Sequence, residues 1–436
     1  MQTLNIREFI NSNKLSFNQW LLIILCFLIV AVDGMDVAIM GFVAPSILAE
    51  WHVSKPVFGA VMGAAPIGLA IGALIAGSSS DYFGRRKVLL ASVLFFGICT
   101  LLTAYSNSVS EMTTYRFLTG LGLGAAMPNT TTLLVEYIPE QRKGFILAAM
   151  FTGFNLGSGI IGFIASALIP HYGWRSVLIF GGVLPLILFA VMIFLLPESA
   201  RFMVVRQHAA EKVKKVLSRV TQKPLTQYSK FITGEPPVAA KQPVAVLFQP
   251  EFRFKTMTLW FTYFMGLLVI YLSTSWLPTM MKDAGLSISQ AANATAMFQI
   301  GGTIGALLVG WFMDKIKPTH AIAVSYAIGG VFLIILAMNG LFSPYVVPLI
   351  FFVGFCLSGG QTGLNAYAPT TYPTFARATG VSAMLAFGRL GSILGSSIGG
   401  VLLSQGWGFK GIFAALAIPA FLAALFISLN GKEQRS

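Results

Sequence analysis

Twelve stretches of this chain stay apolar for about 20 residues at a time, a length that leaves few folds open. A helix rises about 1.5 Å per residue, so ~20 residues cross the ~30 Å hydrocarbon core of a bilayer. A membrane strand needs only ~10 residues of alternating polarity, a pattern absent here. The stretches fall at 20–48, 56–79, 87–106, 111–137, 144–169 and 175–197, then at 255–281, 288–313, 319–340, 344–370, 378–404 and 408–430. Only 10% of the residues are charged and 56% are hydrophobic, against roughly 25% charged in soluble domains. Such a surface is satisfied only by lipid. The expected fold class is an all-α integral membrane protein with twelve transmembrane helices.

The same residues exclude several kinds of chemistry. Cys26, Cys99 and Cys356 each sit inside an apolar run at unrelated spacings, so neither a disulfide framework nor a metal cluster is expected. The four histidines lie at or near predicted loops and form no ligand pattern. No phosphate-binding Gly-x-x-x-x-Gly-Lys-Ser/Thr motif occurs, which argues against a built-in ATP motor. No nucleophile–base constellation points to an enzyme, and no cofactor is expected. The first 18 residues are polar and mixed, and the first apolar run is too long for a signal core, so it reads as a retained span.

Lysine and arginine set the expected orientation. With the N-terminus inside, 23 of the 29 fall in inside segments, eleven of them in or bordering the central linker. Outside loops hold only Lys55, Arg175, Lys282 and Lys410. Both termini and the linker are therefore expected to be cytoplasmic. The net charge of +14 becomes a topology signal. It does not imply nucleic acid, because the basic run "KVKKVLSR" has no interleaved aromatics.

The longest polar stretch, 198–254, divides the chain into 1–197 and 255–436. It includes "EKVKKVLSRVTQK", which could form a short basic amphipathic helix; a solvated linker at the membrane surface is the expectation. The halves echo each other at an offset of 235 residues, which places Gly124, Tyr137 and Arg142 on Gly359, Tyr372 and Arg377. "SSSDYFGRRK" is answered weakly by "WFMDKIKP", Asp81 against Asp314. A half-length repeat is characteristic of secondary transporters, whose substrate site lies near the midplane between repeats. Two pseudo-symmetric six-helix bundles are expected. Glycines recur at close-packing spacing, as in Gly120/Gly124 and Gly301/Gly305, and serve helix contact.

Four charges break the apolar runs: Asp33, Asp36, Arg116 and Arg389. Each costs about 2.5–3.5 kcal/mol at midplane on insertion scales. Asp33 and Asp36 share a helix face and lie ~20–24 Å in from Trp20. Arg116 is deep enough to approach them, and Arg389 is also near the middle. A plain structural ion pair would stabilise poorly compared with apolar packing. The positions 235 residues away are uncharged: Leu268, Tyr271, Phe351 and Phe154. A charge that appears in one repeat only is a functional candidate. Buried carboxylates can carry protons, and an arginine facing a cavity can grip an organic anion through paired hydrogen bonds.

The motifs then resemble a known family. "DYFGRRK" (81–87) and "RFLTGLGLG" (116–124) resemble signatures of the major facilitator superfamily. "DGMD" (33–36), "GAAMPN" (124–129), "LPES" (196–199), "RATG" (377–380) and "GRLGSILG" (388–395) are similar to the aromatic acid:proton symporters within it. Met35 departs mildly from the usual Phe or Tyr. The resemblance spans roughly 33–400 and implies alternating access, with proton-coupled uptake of a small benzoate-like carboxylate across the inner membrane of a bacterium by a monomer. It implies proton coupling at Asp33, Asp36 and Arg116. Substrate contact is expected from Arg389, Arg116, Asn155, Trp276, Gln361 and Asn365, although packing is the commoner use of an aromatic such as Trp276. A gate is expected from Asp81, Arg85, Arg86, Glu136, Asp314 and Arg377. Rival readings are proton-driven efflux of aromatic compounds, uptake of muconate, quinate or shikimate, a channel, and a nutrient sensor.

Overall fold

A computed structural model describes residues 2–233, 247–341, 343–372 and 374–432, with the side chains of residues 2, 77, 78, 81, 374–378 and 432 outside that description. The chain opens with strand β1 (Gln2–Asn5) and helix α1 (Ile6–Asn11). Six long helices follow: α2 (Phe17–Trp51), α3 (Lys55–Phe83), α4 (Arg85–Ala104), α5 (Val109–Tyr137), α6 (Lys143–Tyr172) and α7 (Trp174–Leu195). Two short helices, α8 (Ala200–Val205) and α9 (Ala210–Thr221), and strand β2 (Tyr228–Ile232) occupy the middle. Six more long helices complete the chain: α10 (Arg253–Asp283), α11 (Ile288–Lys315), α12 (Pro318–Asn339), α13 (Val346–Thr371), α14 (Thr374–Ser404) and α15 (Phe409–Lys432).

Several helices outrun their apolar runs because polar caps lie beyond them. Ser16 and Gln19 close a capping box at the start of α2, and Ser287 and Gln290 do the same for α11. A single residue, Gly84, joins α3 to α4 with φ at +96°, a left-handed conformation that only glycine adopts cheaply.

Among the described residues, eleven helices are long and apolar enough to cross a membrane. The twelfth expected span is α5, which has 29 residues but carries Glu111, Arg116, Asn129 and Glu136. Its polarity reflects its position: it packs between α3 and α4 and also touches α2, so it needs less lipid-compatible surface.

The halves repeat the same helix pairings. Pairs α3–α5 and α2–α6 in the first half correspond to α11–α13 and α10–α14 in the second. Each α3–α5-type pair closes along a glycine seam. Gly120 and Gly124 press on the Ala65 and Leu69 carbonyls, and Gly68 and Gly72 on those of Phe117 and Leu121. In the second half Gly301 and Gly305 press on the Phe351 and Phe355 carbonyls, and Gly354 on that of Phe298. Such approach is the main source of helix affinity where lipid removes the hydrophobic drive.

Strand β1 pairs with the linker strand β2, and Asn430 near the end of α15 donates to the Lys255 carbonyl at the start of α10 at 3.0 Å, so these ends lie on the linker side. On the far side the two bundles meet. Lys55 Nζ pairs with Asp283 Oδ2 at 2.6 Å, Ser166 and Ser289 bond at 2.8 Å, and Gly59 lies against the Ser397 carbonyl.

The linker differs from the solvated chain expected of it. Helix α9 buries Val213, Leu217 and Val220. Ser16 and Asn18 donate to the Val220 and Arg219 carbonyls at 2.5 and 2.6 Å, and Arg219 donates to the Phe194 carbonyl at 2.6 Å. Strand β2 pairs in parallel with β1. The segment is apolar on one helical face, and the end of the first bundle offers a matching surface.

Replacing Gly305 with Val should lower the melting temperature of the detergent-purified protein, because the new side chain meets the Phe355 backbone; overpacking of this kind costs about 1–3 kcal/mol. Gly144→Ala, with open space around the added carbon, should leave it unchanged. Equal melting curves for both variants and the parent would refute the seam.

Candidate functional site

Two of the four intramembrane charges close an ion pair, and the other two attract one another across the bundles. The first lies wholly inside the first bundle. Arg116 Nη1 donates to Asp36 Oδ2 at 2.9 Å, and its Nη2 donates to the Asp36 backbone carbonyl at 3.1 Å. Thr100 of α4 donates to the other carboxylate oxygen at 2.5 Å. Asp36 is 0% exposed and Arg116 1%. Both carboxylate oxygens are satisfied, while Arg116 Nε has no partner.

The second pair crosses between bundles. Asp33 is buried on α2, and its Oδ1 has no hydrogen-bond partner. Its largest electrostatic attraction is to Arg389 on α14, and Asp36 repels it. Arg389 is half-buried and lies beside the Tyr271 hydroxyl on α10. Gly34, between the aspartates, presses on the Phe154 backbone, and its carbonyl accepts from Ser158 Oγ at 2.7 Å. Helix α6 therefore crosses tightly behind α2, leaving Asp33 to meet the second bundle.

A cavity of about 20 Å³, enough for one water, lies beside Arg116; Met40, Pro66, Tyr271, Ser275 and Ser396 also line it. Tyr271, which faces this space, is the offset counterpart of Asp36.

The remaining expected residues separate by place. Gln361 and Asn365 lie one turn apart on α13; both amides face the Tyr263 hydroxyl on α10, and Asn365 is exposed. Gln361 Oε1 accepts from Tyr326 at 2.6 Å. Asn155 is half-buried near Gly302, at the α6–α11 crossing. Trp276 lies toward the far side, near where α14 meets Lys55 of the first bundle. It is 0% exposed, donates to the Ser396 carbonyl at 2.7 Å and lies over Gly399 and Gly400, filling the α10–α14 contact toward the far side. Tyr367 donates to Asn430 at 2.8 Å inside the second bundle, and Gln299 donates to Thr274 at 3.2 Å.

On the linker side, Arg85 Nε lies 3.9 Å from Glu136, which accepts from Ser199. The Arg86 backbone N–H donates to Glu198 at 3.1 Å, and its guanidinium donates to the Ile193 carbonyl at 2.6 Å. The Tyr137 hydroxyl donates to the Glu198 carbonyl at 2.5 Å. These contacts tie α4, α5 and the start of α8 together within one bundle. Asp314 is exposed at the end of α11. The Asp81 and Arg377 side chains lie outside the described residues.

Sequence reasoning missed Thr100, Tyr263, Tyr326, Ser199 and the Lys55–Asp283 pair. Tyr263 and Tyr271 carried a usable signal: eight residues apart, they lie about two helical turns apart on one face of an apolar span.

The family model described as "Major Facilitator Superfamily" matches residues 26–337 and 259–435. The gallate transporter of Pseudomonas putida is 49% identical over 98% of this chain and 95% of its own. The 4-hydroxybenzoate transporter PcaK of Pseudomonas aeruginosa is 45% identical over 99% and 96%. The benzoate transport protein of Acinetobacter baylyi is 32% identical over 98% and 92%. Among solved structures, a D-xylose–proton symporter superposes with a TM-score of 0.73 at 18% identity, covering 93% of this chain and 96% of that one. That likeness establishes the fold.

Removing one member of the Asp36–Arg116 pair strands a buried charge, a loss of about 3–5 kcal/mol, whereas removing both should cost less. Thermal unfolding of Asp36→Ala, Arg116→Ala and the double variant is the check. A double variant whose loss equals the sum of the two single losses would show that the pair is not coupled.

Proposed function

We propose that this chain, which belongs to the major facilitator superfamily and within it to the aromatic acid:proton symporters, carries an aromatic carboxylate and protons together across the cell inner membrane by alternating access. Its relatives are transporters, and this chain is a transporter and not an enzyme. The observation that carries the mechanism is the split of four intramembrane charges into one ion pair within a bundle and one electrostatic attraction between bundles.

The crossing pair supplies coupling by competition. Arg389 can hold one carboxylate well. A substrate carboxylate arriving there displaces Asp33, which leaves that aspartate charged, buried and without its cation. Burial disfavours such a charge by several kcal/mol, so the displaced carboxylate takes up a proton. Substrate binding and protonation then become one event, and the loaded site holds no more charge than the empty one. With the attraction between bundles neutralised, the halves can rock. The Asp36–Arg116 pair is the second candidate proton site, and Thr100 would hold its carboxylate in place between cycles. The buried Trp276 belongs to the far-side contact, not to the substrate.

The Lys and Arg distribution assigns the linker side to the cytoplasm. The far-side contacts then close the outer face, and the exposed Asn365 looks inward. The network around Arg85, Arg86, Glu136 and Glu198 would brace the inner end of the first bundle; Asp81, Arg377 and Asp314 are proposed to meet it when the inner face closes. The protein is proposed to work as a monomer, since each chain holds both halves of the site.

In proteoliposomes with an imposed pH gradient, the parent should accumulate radiolabelled aromatic acid. Asp33→Asn and Asp36→Asn should lose accumulation while retaining substrate exchange between equal pools. Full uphill transport by both variants, or flux only outward, would sink the proposal. Arg389→Gln should weaken acid binding about 10–100-fold, from the loss of charge-assisted hydrogen bonds worth about 1.5–3 kcal/mol. Titration calorimetry would show it, and unchanged affinity would remove Arg389 from the site.

A further inference from the structure

We infer that the linker helix α9 and the adjoining ends of α2 and α7 form a site for an anionic phospholipid. Arg219 and Lys215 hold the headgroup phosphate, and the chains lie along the exposed faces of α2 and α7. The inference is independent of the substrate carried.

Arg219 joins three elements. Its Nη2 donates to the Phe194 carbonyl at the end of α7 at 2.6 Å, and its own carbonyl accepts from Asn18 Nδ2 at the start of α2 at 2.6 Å. The Phe17 N–H donates to Gln222 Oε1 at 3.2 Å, which fixes the end of α9 in the same place. Helices α2 and α7 pack against each other, and each carries an exposed apolar stripe at helical spacing that leads to this end. The stripes are Phe17, Trp20 and Ile24 on α2, and Ile187, Val191 and Phe194 on α7. On α2 the stripe falls between two occupied faces. Gly153 and Gly157 of α6 press on the Phe27 and Ala31 carbonyls, and Ile39 meets Gly181 of α7. The stripe therefore opens outward from the first bundle, where lipid is the neighbouring medium.

Along α9 the cations segregate. Lys212, Lys215 and Arg219 recur at i, i+3 and i+7 on one exposed stripe, beside the buried face of Val213, Leu217 and Val220. Lys214, on another face, is taken by Glu211 at 3.0 Å. Lys215 and Arg219 are one turn apart, ~6 Å along the axis, so one phosphate diester can accept from both. The Arg219 guanidinium is exposed and keeps further N–H donors beyond the one given to Phe194, which suits the paired contact that arginine makes to phosphate. Cations at a membrane surface attract anionic headgroups. Here the apolar stripes continue the same contact into the chain region, and that continuity identifies the occupant as a lipid. A protein partner would have to displace lipid from both spans. A nucleic acid would find no aromatic side chain on α9 to stack on.

The test places the full-length protein in phosphatidylcholine vesicles containing a minor fraction of phosphatidylglycerol, with bromine on the chains of one lipid or the other to quench tryptophan. The difference from Trp20→Phe isolates the Trp20 signal. The parent should bind phosphatidylglycerol beside Trp20 at least about tenfold more tightly than phosphatidylcholine. Arg219→Gln combined with Lys215→Gln should bring that preference close to one. Lys212→Gln combined with Lys215→Gln keeps the Arg219–Phe194 bond and should still lower it, which preserves the test if loss of Arg219 unfolds the linker. Lys315→Gln combined with Lys317→Gln removes the same charge from the linker side of the second bundle and should leave the preference intact. A parent preference near one, a preference that survives both α9 variants, or an equal loss in the second-bundle variant overturns the site. Abolition of the preference by millimolar inorganic phosphate would reassign the cations to a soluble anion and also overturn it.

Discussion

A charge in the bilayer interior must be answered by another, and this structure is organised by how its four are answered. Arg116 and Asp36 sit on helices of one bundle, in near-complete burial, with Thr100 completing the carboxylate. That pair can persist whatever the bundles do. Arg389 and Asp33 sit on different bundles, so their attraction depends on how the halves are docked. The unpartnered Asp33 oxygen marks the looser pair. Coupling between an anion, a proton and a domain movement needs an interaction that can be exchanged, and the crossing pair is the one that can.

Around these charges the scaffold is nearly symmetric. The glycine seams of α3–α5 recur in α11–α13, carbonyl against glycine, because close backbone approach must be made in both halves if both are to be rigid bodies. The charges do not recur. Tyr271 stands where the repeat places a counterpart to Asp36, and Phe154 where it places one to Arg389. Phe154 supplies backbone for the tight α2–α6 crossing, and Tyr271 supplies a hydroxyl beside Arg389. The repeat is preserved where the chemistry is packing and abandoned where it is ionic. The linker follows packing as well: β1, β2 and α9 tie the N-terminal segment and the middle of the chain to the first bundle.

Much of this was legible beforehand. The apolar runs located the helices, since length and hydropathy are local properties and no tertiary contact can make a 20-residue apolar run soluble. The isolated charges in those runs named the candidates for the proposed site, since an unanswered charge in lipid is too costly to be incidental. Aromatic identity does not reveal which way a ring faces, and the Trp276 indole fills a helix crossing. The α9 segment misled because a short, basic sequence does not show that a neighbouring surface awaits its apolar face.

The amino-acid order alone determined that the chain lies in a membrane as two related sets of helices and that Asp33, Asp36, Arg116 and Arg389 are its exceptional residues. Only the folded molecule decided which aspartate answers which arginine. Helical spacing puts both carboxylates on one face of α2, and three residues of separation leave both within reach of either cation. The choice is made by where α5 and α14 lie, and by Gly34, which lets α6 press close behind and leaves Asp33 to the opposite bundle. Those placements arise from packing between distant segments, a property that no local stretch of sequence contains.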